Sequence, residues 1–74
     1  MSYVIRDLQT DQFFGGGYKF KNLKEICKAL IDYHSIDCNM IEEKKLLRKG
    51  KIKECINALK GFEWEIIKIK RRVI

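Results

Sequence analysis

Six cations fall within ten residues of this chain: Lys44, Lys45, Arg48, Lys49, Lys51 and Lys53. Ammonium and guanidinium groups at that density attract phosphate oxygens or a carboxylate-rich protein surface. On a helix beginning near Met40, Lys44, Lys45, Arg48 and Lys49 sweep one arc, and the pairs Lys44/Arg48 and Lys45/Lys49 set like charges at i, i+4. Each such pair costs roughly 0.2–0.5 kcal/mol. The run therefore either serves a partner or is a solvated face that tolerates the repulsion. The rest of the chain leans the same way: residues 43–74 hold eleven Lys/Arg against four Asp/Glu, and residues 1–42 hold five against six, for a net +6.

Other chemistry is thinner. His34 is the only histidine and stands on the apolar side at the end of an expected helix, a place for capping or packing rather than for a general base. Ser2 and Ser35 are the only serines, and Glu63 and Glu65 alternate along an expected strand where solubility places carboxylates. No enzyme is expected. Cys27, His34, Cys38 and Cys55 could supply four zinc ligands by count, but no Cys-x-x-Cys knuckle is present, and Cys27 and Cys55 occupy apolar helix positions. Cys27 and Cys55 are expected to be buried and unpaired, with no metal and no cofactor. Gly15-Gly16-Gly17 is separated from the next helix by Tyr18 to Asn22, so it does not form a phosphate-cradling loop. Gln9, Phe13 and Phe14 have the outline of the short motif that docks on sliding clamps of replication, with Gln12 where an aliphatic anchor belongs. The competing reading is a hairpin turn with two aromatics on opposite faces.

These groups must be held by a small scaffold. Seventy-four residues, 46% hydrophobic and 35% charged, make a single domain over residues 1–74 with one modest core. No apolar run approaches the roughly 18 residues of a membrane span, and the first residues lack the pattern of a secretion signal. A cytoplasmic location without membrane contact is expected.

Tyr3 to Leu8 is predicted to be a strand, Gln9 to Gln12 its turn, and Phe13-Phe14 the start of a return strand that the glycines interrupt and Tyr18-Lys19-Phe20 resumes. Asn22-Leu23-Lys24-Glu25 has the form of a capping box, and Leu23, Ile26, Cys27, Leu30, Ile31 and His34 share one side of a helix over residues 23–34. Asn39 is expected to cap a second helix running to Lys49, with Gly50 as a break. Ile52, Cys55, Ile56 and Leu59 form the stripe of a third helix, stopped by Gly61. Phe62 to Ile66 alternates as a strand with Phe62 and Trp64 turned inward. At Ile66-Ile67 the phase slips, and Ile67, Ile69 and Val73 form a second apolar row. A bulge is one explanation, and a homodimer contact through Ile67 and Ile69 is the other. The order β-β-α-α-α-β predicts a two-layer α+β fold, its helices stacked on a three-stranded antiparallel sheet.

The hairpin leading through Tyr18-Lys19-Phe20-Lys21-Asn22-Leu23-Lys24-Glu25-Ile26 into a capped helix resembles the short accessory proteins of bacterial viruses. The likeness covers residues 3–34 and loosely the C-terminal strand, and it transfers no site residues. It implies a phage-encoded, single-domain protein in the host cytoplasm that modulates a host machine by binding. Inhibitors of CRISPR nucleases and of replication or transcription proteins belong to that class. Together with the charge, the expectation is a basic binding protein whose partner is a host protein or protein–nucleic acid complex. The alternatives are direct binding of DNA or RNA through the same cations, and a homodimeric interaction protein.

Overall fold

The computed structural model describes residues 2–69. Its elements are β1 (Ser2–Asp7), α1 (Leu23–His34), α2 (Ile41–Arg48), α3 (Ile52–Leu59) and β2 (Trp64–Ile69), with 3-10 turns at Phe14–Gly16 and Lys60–Phe62. β1 and β2 pair antiparallel, from Ser2 opposite Ile69 to Asp7 opposite Trp64. The fold is α+β: three helices joined to a two-stranded antiparallel sheet.

The expected return strand, and with it the three-stranded sheet, is not formed among the described residues. What remains of it is two isolated bridges on the free side of β1, Arg6 with Phe13 and Tyr3 with Phe20. Moving three residues back along β1 takes seven residues forward on the other segment, so Phe14 to Gly17 leave the ladder. The glycines are the cause. Gly15, Gly16 and Gly17 all adopt positive φ, at 59°, 68° and 96°, a run of left-handed conformations that residues with a Cβ resist. The chain coils there instead of extending, and re-enters only at Phe20, which exchanges both backbone bonds with Tyr3 at 2.7 and 2.8 Å.

Capping begins α1 as the sequence indicates. Asn22 Oδ1 accepts the Glu25 N–H at 2.9 Å, and Glu25 Oε2 accepts the N–H of Lys21 at 2.8 Å. Asn39, by contrast, caps nothing: α2 begins after Met40, without a side-chain cap. Met40 is 2% exposed, so burial of its thioether chain sets where the helix starts. α2 ends in a Schellman motif. Gly50 at φ 76° donates to Leu47 O at 3.1 Å, and Lys51 donates to Leu46 O at 2.9 Å.

One core joins sheet and helices. Ile5 from β1 and Trp64 from β2 meet Ile26, Cys27, Leu30 and Ile31 of α1, Met40, and Cys55, Ile56 and Leu59 of α3. Phe62 reaches this core from a 3-10 turn rather than from a strand. The β1–β2 register is unbroken, so the phase change at Ile66-Ile67 is not a bulge. Trp64 and Ile66 pack with the core. Ile67 and Ile69 alternate to the other face beside Val4, half-buried. Val73, the last of that expected row, lies outside the described residues, as do Lys70, Arg71 and Arg72. Among the described residues no helix is long and apolar enough to cross a membrane.

Candidate functional site: the basic face of the second helix

No residue of α2 is buried. Leu46 and Leu47 lean on the core from one side, while Lys44, Lys45, Arg48 and Lys49 are all exposed. Lys51 and Lys53 continue the exposed cations across the turn onto α3. Of the six, Lys51 alone has an intramolecular partner among the described residues, a loose contact of 3.9 Å with Glu54. The other five are exposed and have no carboxylate partner among the described residues.

The sequence missed a member of this face. Lys28, on α1, joins Lys44 and Arg48 around a recess of about 280 Å³ between the two helices, floored by Ile31 and Leu47 and edged by Asp32. Lys28 is far from the run in sequence, and only the packing of α1 on α2 brings it in. Three cations from two helices around a shallow notch can hold an anionic oxygen cluster or a carboxylate-bearing loop.

The remaining candidates are dispersed. Gln9 is exposed, and its N–H is bonded to Asp7 Oδ1 at 2.9 Å. Phe13 is half-exposed, whereas Phe14 turns into an aromatic cluster with Phe20, Tyr33 and Trp64 at centroid distances of 5.5–6.1 Å. The two aromatics thus lie apart, one outward and one inward.

His34 accepts the indole N–H of Trp64 at Nε2, at 2.8 Å, and stacks on Phe62 at 4.0 Å. Burial lowers its pKa, opposed by the nearby Asp37. Accepting at Nε2 requires the neutral ring with its proton on Nδ1, so the only imidazole is committed to the fold. Cys27 and Cys55 are fully buried free thiols, and Cys38 is exposed. Burial, reinforced by the neighbouring Cys55, pushes Cys27 up to about 12, and burial also raises Cys55. Neither thiol is a nucleophile near neutral pH. Among the described residues no three His, Cys, Asp or Glu side chains come together as a metal site.

Comparison of the chain with known family models, with curated proteins and with solved structures finds no match.

Proposed function

We propose that this protein is a small non-catalytic binding module that docks the α2 face on a negatively charged working surface of a nucleic-acid-handling machine and occludes it. The observation that carries the reading is the set of exposed cations, Lys44, Lys45, Arg48, Lys49 and Lys53, that no carboxylate neutralises among the described residues. α2 keeps two like-charged i, i+4 pairs while burying no residue, so its charge does little for the core. A polyanionic partner converts that repulsion into attraction and speeds encounter. α2 itself has no aromatic residue on which bases could stack, which favours contact with phosphates or carboxylates over reading of bases. The likeness of residues 3–34 to phage accessory proteins supports a host target such as a CRISPR nuclease or a replication or transcription protein.

A second reading is direct binding of DNA or RNA phosphates. It is favoured by the notch where Lys28, Lys44 and Arg48 converge. Affinity capture from bacterial lysate, with and without nuclease, separates the two. The first expects a protein partner that survives nuclease. The second expects loss of capture on nuclease treatment, and duplex affinity that falls linearly with log salt concentration. Both expect Lys44→Glu with Arg48→Glu to abolish binding while shifting stability by only about 0.5 kcal/mol, as surface substitutions do. Unchanged binding by the folded double variant refutes both.

A further inference from the structure

A second recess, opposite in sign to the basic face, opens where β1 ends. Its volume is about 360 Å³, and Phe13, Phe14, Tyr33, Trp64, Gln12 and Asp7 line it. The register explains how it forms. Asp7 and Trp64 are the terminal pair of the β1–β2 ladder, directly opposite one another, so their side chains leave the sheet on the same face. Phe14 meets Trp64 edge-on at 5.7 Å, and Tyr33 meets both at 5.5 and 5.9 Å. The three rings brace one another. Tyr33 is 53% and Phe13 47% exposed, an unusual amount of aromatic surface to leave in water around one hollow.

Asp7 is the only charged residue in the lining. One of its oxygens accepts the Gln9 N–H at 2.9 Å, and it enters no ion pair among the described residues. Arg6, the adjacent cation, cannot serve it. Strand alternation sends Arg6 to the opposite face, where it holds Asp11 at 3.1 Å and Glu65 at 2.8 Å. An apolar occupant would strip water from the Asp7 carboxylate without replacing it, a neutral donor would replace it less strongly than a charged one, and an anion would be repelled. A cation gains from both the carboxylate and the electron-rich rings. Of the guanidinium and the ammonium, the side-chain cations charged at neutral pH, the planar guanidinium stacks on aromatic faces and forks onto a carboxylate, which an ammonium does not. The volume lies at the small end of ligand pockets, suited to one side chain rather than a cofactor.

We propose that this recess is a binding site for an arginine side chain of a partner polypeptide, with Asp7 as the counter-charge and the exposed rings of Tyr33 and Phe13, backed by Phe14 and Trp64, as the stacking surface. It is independent of the basic face, since it takes charge of the other sign.

Trp64 is the chain's only tryptophan, so its indole N–H resonance in the full-length protein reports on the recess. The probe is acetyl-Gly-Arg-Gly-amide at millimolar concentrations, compared with the same peptide carrying citrulline, which keeps the shape and loses the charge. The expected result is a saturable shift of the indole signal with the arginine peptide, and binding weaker by about tenfold with citrulline. Asp7→Asn keeps an oxygen for the Gln9 N–H and so preserves the turn; it is expected to weaken the arginine peptide by a similar factor. Tyr33→Leu, at an exposed position, checks the ring contribution independently. Equal binding of the citrulline peptide, no effect of Asp7→Asn in a folded variant, or no saturable shift at all overturns the proposal.

Discussion

The hydrogen bond from Trp64 to His34 makes one side chain a reporter of pH. His34 resists protonation in the folded protein because burial lowers its pKa and because Nε2 is occupied as an acceptor. In the unfolded chain it titrates near its ordinary value of about 6.5. The unfolded state therefore takes up the proton first, and stability present above that value is lost as pH falls toward the depressed folded value. The expected outcome is a melting temperature that declines between about pH 7 and pH 5, above the range of ordinary carboxylates. In His34→Gln the decline should be absent, and a wild-type profile as flat as the variant's would show that the ring is not held neutral. The sequence placed His34 on the packed side of its helix, and that much is seen. Its partner was out of reach to pattern reading, because Trp64 is thirty residues away and nothing in its spacing advertises a donor.

At the scale of elements, two glycines that look alike in sequence behave differently. Gly50 and Gly61 each follow a helical stripe and a basic residue. Gly50 takes the left-handed position of the Schellman turn, at φ 76°, whereas Gly61 sits inside a 3-10 turn without positive φ. The left-handed position after α3 is instead taken by Glu63, at φ 65°. An added Cβ meets nothing within 4 Å at either glycine, so conformation alone decides. Gly50→Ala is expected to cost about 1–2 kcal/mol in urea unfolding, and Gly61→Ala to be close to neutral. Equal costs would refute the distinction. The same contrast shows what could be read beforehand. The Asn22 cap is a local arrangement, complete within one turn, and the sequence specifies it, although Glu25 reaches back to the N–H of Lys21 rather than of Asn22 as a capping box would. Asn39 has the same local chemistry, but the buried Met40 overrides it. The return strand failed because alternation at Phe13 and at Phe20 is real, while the register between them depends on how many residues the glycines coil away. The six cations were legible because exposed charge needs no partner to be seen, and Lys28 was not because its membership depends on helix packing.

For the whole molecule, the open matter is whether copies associate through β2. Its outer edge has no strand neighbour among the described residues, and Ile67 and Ile69 with Val4 make an apolar row on the face away from the core. Both features invite a symmetric pair. Two facts oppose it. Val4 is already only 7% exposed and the two isoleucines are half-buried within one chain, so pairing would remove less apolar surface from water than the sequence suggests. Lys68 is exposed on β2 and each chain carries a net +6, so a β2–β2 contact would bring two strongly positive molecules together. Like charges facing across a symmetric edge repel, and exposed lysine is a recurrent guard of edge strands. Repulsion of this kind is strongest when the Debye length is long, about 30 Å at 0.01 M salt and about 10 Å at 0.1 M. The chain is therefore expected to sediment as a monomer at micromolar concentration in low salt, across a hundredfold dilution. Lys68→Thr, which removes the exposed guard at the described end of β2, should raise self-association most at low salt, where the repulsion is least screened. A dimer mass that is stable at low salt and is abolished by Ile67→Lys would refute the electrostatic argument and assign the outer face of β2 to a second copy of the chain.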